Sequence, residues 1–286
     1  MTQFADFTYL STLLRCPLQH HYRYRLGLEP VEGGRSVPIR AGTLGHAALE
    51  LLYRGEPWLE RVEELYAASG IVALGSFDYM TQGHLEVILH NYTDRYPDDA
   101  KLRIAAFVEQ PLVSEHLQLG GIPDMIVEDA DGELSVWDHK WTTGWLANLE
   151  SRQALSAQLP IYCILASEQL ATPVRRAVLN MVHMGPGASN LKSKAERFGR
   201  RAYAYTEWQL EEARAWVRET QTLDAHFGMA PVAPPRNADS HCAWCNFKDL
   251  CGARSASVRD AMIGTSFKKR NITGTLLSGA DMEVEA

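Results

Sequence analysis

No run of about 18 uncharged apolar residues occurs in this 286-residue chain, so no membrane-spanning helix is expected. The opening stretch, MTQFADFTYLSTLLRC, lacks a basic segment followed by an apolar core and a small-residue cleavage site. It does not read as a secretory leader, and a cytoplasmic protein is expected. A Walker A pattern is missing, which excludes a fused phosphate-loop motor. Internal repeats and low-complexity tracts are missing too. Basic charge is scarce: 28 Lys and Arg stand against 35 Asp and Glu, a net charge of −7. That excludes a protein gripping nucleic acid by bulk charge, but not one using clustered carboxylates, a metal and local basic patches. With 46% hydrophobic and 22% charged residues, wholesale disorder is excluded as well. The length suits one large domain, or one domain with an appendage.

What is there reads as an α/β chain. Residues 1–28 look helical around an apolar and aromatic stripe that carries Arg15, Arg23 and Arg25. Residues 30–38 read as a loop, and 42–54, 58–68 and 76–95 as helices, the first bearing His46. The period then shortens: 104–113, 115–120, 122–128 and 133–141 read as strands, with turn signals at Gly120-Gly121 and Asp129–Gly132. Residues 151–169 read as a helix capped by Ser151, and 174–183 as a buried strand. Residues 185–201 read as a Gly-rich loop that turns basic at Lys192, Lys194, Arg197, Arg200 and Arg201. A long amphipathic helix is expected over 207–227, then a Pro-rich linker, a cysteine segment and a disordered acidic tail. The expected partition is an N-terminal helical segment (1–41), a core (42–206), a C-terminal helix with the cysteine segment (207–260) and the tail (261–286). The core is expected to hold a central mixed β-sheet flanked by helices.

One constellation carries hydrolytic chemistry. Asp138 and Lys140 sit two apart on a predicted strand and so share a face, while His139 points away. A hairpin turning near Asp131-Gly132 brings Asp124, of Pro123-Asp124, beside Asp138. Two carboxylates and an ammonium at one spot are costly unless a divalent cation joins them, and oxygen ligands suit Mg²⁺ or Mn²⁺. Such a cation lowers the pKa of bound water and neutralises charge on a phosphodiester, with Lys140 as a further point charge. The plain alternative is a surface hairpin with an incidental salt bridge.

The five cysteines form a second constellation. Cys242-Ala-Trp-Cys245, five residues, then Cys251 is a compact cluster. Disulfides are disfavoured in a reducing compartment, so metal is expected. Cys16, in Leu-Arg-Cys16-Pro, is the candidate fourth ligand, although His20, His21 or His241 could replace one thiolate. A closed four-ligand site suits structural Zn²⁺ and an iron–sulfur cluster equally on spacing. Cys163, in an apolar helix segment, reads as core.

Pro123-Asp124, thirteen residues, then Asp138-His139-Lys140 resembles the motif that names the PD-(D/E)xK nuclease superfamily. His46, in Gly42-Thr-Leu-Gly-His46, and Gln158-Leu-Pro-Ile-Tyr162 resemble the extra histidine and the Gln-x-x-x-Tyr motif of its RecB-type subgroup. The four cysteines around this core resemble the iron–sulfur nucleases: AddB, the mitochondrial helicase-nuclease relatives and the CRISPR-associated RecB-like exonucleases. Tyr9–Pro17 and Tyr22–Arg25 also look like theirs, so the resemblance runs from about residue 8 to about 254.

The resemblance implies a restriction-endonuclease-like fold whose N- and C-terminal segments are joined by a metal cluster. It implies that His46, Asp124, Asp138 and the His139 carbonyl ligate Mg²⁺ or Mn²⁺, and that Lys140 is catalytic. Gln158 and Tyr162, on one helix face, would contact DNA or support the site. Cys16, Cys242, Cys245 and Cys251 would hold a 4Fe-4S cluster, with Zn²⁺ as the alternative. Arg15, Arg23, Arg25, Trp141, Trp145 and the 192–201 loop are candidate DNA contacts. Trp137 reads as core, His139 and His183 side chains as structural, and Glu109 as an outer ligand or a solvated strand residue. The expected function is a stand-alone, metal-dependent DNA exonuclease acting on single-stranded or end-bearing DNA with 5′ to 3′ polarity. Recombination, repair, phage DNA metabolism or CRISPR adaptation would supply its partners, a helicase or recombinase among them. The rivals are a non-catalytic iron–sulfur or zinc-stabilised DNA-binding subunit, and a zinc-stabilised enzyme acting on RNA or a small phosphodiester.

Overall fold

A computed structural model describes residues 4–31, 37–73, 75–107, 111–186, 197–229 and 233–269. Glu109, Lys192 and Lys194 lie outside them, as do residues 270–286 of the expected tail. In chain order the helices are α1 (Phe7–Arg15), α2 (Pro17–His20), α3 (Val37–Tyr53), α4 (Trp58–Ser69), α5 (Gln82–Arg95), α6 (Leu146–Ala154), α7 (Gln158–Leu170), α8 (Glu207–Met229), α9 (Lys248–Cys251) and α10 (Ala256–Ser266). The strands are β1 (Leu28–Pro30), β2 (Arg103–Phe107), β3 (Leu112–Ser114), β4 (Leu119–Gly121), β5 (Met125–Glu128), β6 (Leu134–Thr142), β7 (Arg176–His183), β8 (Phe198–Ala204) and β9 (Phe267–Lys269). The chain forms two compact units: residues 35–110 with 122–210, and residues 1–34 with 111–121 and 211–286.

The first of these units is built on a five-stranded sheet in the order β2-β5-β6-β7-β8. Every neighbouring pair is antiparallel except β6 and β7, so the sheet is mixed. β5 and β6 form a hairpin whose turn is organised by one carboxylate. Asp129 Oδ1 accepts from the amides of Asp131 and Glu133, both at 2.9 Å. Gly132 supplies the left-handed backbone there, with φ +81°. α3, α4 and α5 close one apolar core around Leu44, Leu49, Met80, Leu85, Ile88 and Leu89. α7 is buried from Gln158 through Ala166, which explains its near-continuous apolar sequence. Cys163 is fully buried within it, and burial pushes its thiol up to about 12, an unreactive core cysteine.

The sequence pattern misses three features here. Residues 151–169, expected as one helix, are two, and Ser151 lies inside α6, donating to the Ala147 carbonyl. Pro160 explains the break. Its ring would clash with the carbonyl four residues back, so it falls in the first turn of α7 instead. Residues 104–113 split into β2 and β3, which belong to different sheets, and residues 115–118 of the next expected strand form the turn between β3 and β4. The third is β8: part of it was expected as basic loop, yet it pairs with β7 along its whole length. Arg197, just before it, is 4% exposed and donates to the carbonyls of His183, Gly185 and Pro186.

The second unit joins both ends of the chain. β1 pairs with β9, so residues 261–269, expected as the start of the tail, are helix and strand. Tyr22 and Leu28 pack with Phe247 and Leu250. Tyr9 donates to Asp224 Oδ2 on α8 at 2.7 Å, and Arg25 donates to Oδ1 at 2.8 Å. Asn237 Nδ2 donates to the Arg15 carbonyl at 3.0 Å. The hairpin of β3 and β4 is held by Gln221, which donates to the Leu117 carbonyl, and by a bridge from Ala5 to Leu119. The termini are therefore joined by side chains and a two-stranded sheet; a metal cluster joining them is a separate matter.

His20 is 2% exposed in this unit. Burial pushes its imidazole down from 6.5 to about 4, against the pull of Asp224 and with help from Arg25 and His21. The unfolded chain therefore takes up this proton first. The contribution is complete above pH 6.5 and is lost as pH falls through 6.5 toward about 4, a change of about 3 kcal/mol. Urea unfolding measured across that window should lose stability in the wild type, with a shallower slope for His20→Gln. Equal slopes would remove His20 as the source.

Candidate active site

The β5–β6 hairpin sets the site. Met125 pairs with Trp137, and the Asp124 amide donates to the Trp137 carbonyl at 3.1 Å. Asp124, just ahead of β5, is thereby brought level with Asp138. Asp138 is 3% exposed, Lys140 about a quarter. Lys140 Nζ donates to Asp138 Oδ1 at 2.8 Å and lies 2.7 Å from Oδ2 outside hydrogen-bond geometry. Oδ2 is buried, with the Lys140 ammonium as its ion-pair partner.

His46 reaches this spot from α3. Its Nδ1 lies 2.8 Å from Asp124 Oδ1, and the His139 amide donates to Asp124 Oδ2 at 2.5 Å. Burial alone would push His46 down, but the Asp124 carboxylate outweighs it and holds the imidazole above its ordinary value. Burial works against ionised Asp124 too, yet His46 and the His139 amide keep it well below the usual carboxylate range. Asp138 moves the other way: burial raises it, Asp124 raises it further, and Lys140 offsets only part. Two adjacent carboxylates thus have opposite tendencies, the pattern of a shared charged site.

The approach of α3 requires Gly45. A Cβ there would land 2.2 Å from the Trp141 ring, and Gly42 faces the same side chain. Trp141 is therefore packed against α3 and is part-buried beside the core of α3, α4 and α5. Trp145, by contrast, is 79% exposed, and Trp137 is core as expected.

On α7, Gln158 Nε2 donates to Tyr162 Oη at 3.0 Å, and both side chains are at least nine-tenths buried. Of the expected basic loop, Arg197 caps three carbonyls, Arg200 pairs with Asp99 and Arg201 pairs with Glu150. Arg197 is buried, whereas Arg201 stays exposed beside Glu150. Arg15 and Arg23 lie in the unit of the chain ends, where the Arg23 guanidinium sits 5.3 Å from the Tyr24 ring centroid.

Behind the Asp138–Lys140 strand lies a polar cluster that the sequence did not announce. Asp99, Tyr53, Tyr92, Asn180 and Arg200 are hydrogen-bonded to one another, and Asn180 Nδ2 lies 2.9 Å from His139 Nδ1. Burial pushes His139 down to about 4, so the ring is neutral. The signals available were a lone Asn in the apolar run Val-Leu-Asn-Met-Val and the basic pair in an alternating strand.

The four cysteines gather in the unit of the chain ends. Burial raises the Cys245 thiol, and Cys16, Cys242 and Cys251 each push it further. Tyr22 feels Cys251 and Cys16 as well. Among the described residues, no three His, Cys, Asp or Glu side chains are arranged as a ready metal site.

Gly45→Ala should displace Trp141 and, with it, His46. A lower melting midpoint is expected, with partial recovery in Gly45→Ala/Trp141→Leu. No loss in the single variant would mean that α3 can retreat without cost.

A crystal structure of a provisionally assigned exonuclease from Eubacterium rectale is similar, with a TM-score of 0.51 at 11% identity, over 86% of this chain and 88% of that one. A second, of SSO0001, aligns at 15% identity over 87% and 96%, with a TM-score of 0.33 too low to bear on the fold. No curated protein matches the chain. The mixed five-stranded sheet with its flanking helices is consistent with a restriction-endonuclease-like core. A family match described as the PD-(D/E)XK nuclease superfamily covers residues 7–252, and with it the hairpin, its two carboxylates and Lys140: the chain belongs to that superfamily.

Proposed function

We propose that this chain is a divalent-metal-dependent deoxyribonuclease, working as an exonuclease on single-stranded or end-bearing DNA. The observation that carries the reading is the placement of Asp124, Asp138, Lys140 and His46 together at one end of the β5–β6 hairpin, in a chain of this superfamily. The donor set fits Mg²⁺ or Mn²⁺: two adjacent carboxylates, one of them buried with an ammonium as its ion-pair partner, and an imidazole. His46, Asp124, Asp138 and the His139 carbonyl would hold the cation, which when bound supplies charge neutralisation at the phosphate and a water of lowered pKa.

The chain's own residues do the rest. Asp138 aims the Lys140 ammonium into the site, where it faces charge developing on the phosphate. The His139 amide fixes Asp124. Gln158 and Tyr162, buried and bonded to each other, support the site from α7. Trp145 is exposed and suited to stacking on a base.

The cysteines fit a 4Fe-4S cluster, with structural Zn²⁺ as the alternative. Cys16, Cys242 and Cys251 each act on the Cys245 thiol, and Cys16, between α1 and α2, comes from the opposite end of the chain to the 242–251 region. This would make the protein an iron–sulfur exonuclease of the RecB-like kind, acting 5′ to 3′ beside a helicase, a recombinase or CRISPR adaptation proteins.

End-labelled single-stranded DNA incubated with Mn²⁺ should be degraded and be spared in EDTA. Asp138→Ala and Lys140→Ala should each abolish cleavage while keeping the melting midpoint within a few degrees. Cleavage retained by either would sink the site assignment, and DNA binding without cleavage in the wild type would favour the non-catalytic subunit. In a separate metal analysis, Cys245→Ala should lose iron or zinc together with solubility. An unchanged metal content would remove Cys245 from the ligand set.

A further inference from the structure

His139, Asn180 and Arg200 stand in one straight row across three strands. In the parallel pairing of β6 and β7, His139 is opposite Asn180; in the antiparallel pairing of β7 and β8, Asn180 is opposite Arg200. His139 is 3% exposed and Asn180 is fully buried. A polar row in such a place is stable only if every member is satisfied.

Its bonding has a direction. An arginine side chain can only donate. Arg200 Nε lies 3.4 Å from Asn180 Oδ1, so the amide oxygen faces Arg200. The Asn180 NH₂ must then face the other way, donating to Tyr92 Oη at 2.8 Å and to His139 Nδ1 at 2.9 Å. His139 therefore carries its proton on Nε2.

Arg200 is itself locked. It donates to both oxygens of Asp99, at 2.8 and 2.7 Å, and to Tyr92 Oη at 2.9 Å. Tyr53 Oη donates to Asp99 at 2.8 Å, and its ring stacks on the His139 imidazole at 6° between planes. The imidazole is held at its edge by Asn180 and on its face by Tyr53.

We infer that this row is a positioning device for the proposed metal site. It fixes the tautomer and orientation of His139, and so fixes the main chain between Asp138 and Lys140, whose amide at His139 anchors Asp124. Asn180 and Arg200 are positioning residues that touch no reacting atom. The inference rests on the nuclease reading for the identity of the site. Outer partners that orient metal-binding residues commonly change metal affinity by about 10- to 100-fold when removed.

The test is Mn²⁺ binding by the full-length protein without DNA, read by electron paramagnetic resonance, beside the ¹⁵N spectrum of histidine-labelled protein. Asn180→Leu keeps similar volume and removes the donor. Arg200→Lys keeps a cation for Asp99 and removes the Nε contact. Leu85→Ala, in the α5 core, is the control for lost stability alone. The wild type should show one imidazole fixed as the Nε2–H tautomer. Asn180→Leu should mix the tautomers and weaken Mn²⁺ binding about tenfold, and Arg200→Lys should act in the same direction by less. Leu85→Ala should lower the melting midpoint and bind Mn²⁺ within twofold of wild type. Should Asn180→Leu fail to fold, Arg200→Lys decides. A folded row variant that keeps wild-type affinity and tautomer, or a matching loss in Leu85→Ala, overturns the positioning role. A wild type that binds no Mn²⁺ overturns the nuclease reading, and this inference with it.

Discussion

A buried carboxylate beside a second carboxylate is among the less stable things a small sheet can hold. Asp138 is almost wholly enclosed, and Asp124 adds its own charge from the other strand of the hairpin. Desolvating such a pair without compensation costs several kcal/mol. The surroundings answer that cost. Lys140 leans back along its own strand to Asp138, His46 arrives from α3 for one oxygen of Asp124, and the His139 amide takes the other. α3 can come close enough only because Gly45 leaves room for Trp141.

The same demand explains why the back of the strand is polar. His139 alternates away from the carboxylates and would be an uncompensated polar ring in an apolar core. Asn180, Arg200, Asp99 and two tyrosines satisfy it without placing a net charge there, since Arg200 and Asp99 neutralise each other. Breaking one member of such a network leaves others unsatisfied, so its members act as a unit.

What was legible in the sequence was local. The Asp124–Asp138 pairing followed from a turn signal and the two-residue period of strands, and Gln158 with Tyr162 from a four-residue helical spacing. The helix break before Pro160 was also legible, from the proline itself. β8 was obscured by its arginines, which look like a solvated loop until Arg200 finds Asp99, 101 residues earlier. No spacing rule links Tyr53, Tyr92, Asp99, Asn180 and Arg200; only the fold assembles them. The joining of the chain ends was read through their cysteines, whereas the visible bonds run through Tyr9, Arg25, Asp224 and the pairing of β1 with β9.

Arg197 carries a different consequence. Its guanidinium gathers the carbonyls of His183, Gly185 and Pro186, and β8 begins at the next residue. The exit from β7 and the entry to β8 are therefore fastened to each other directly. One buried arginine thus braces, at the β7–β8 junction, the register of the row behind the carboxylates.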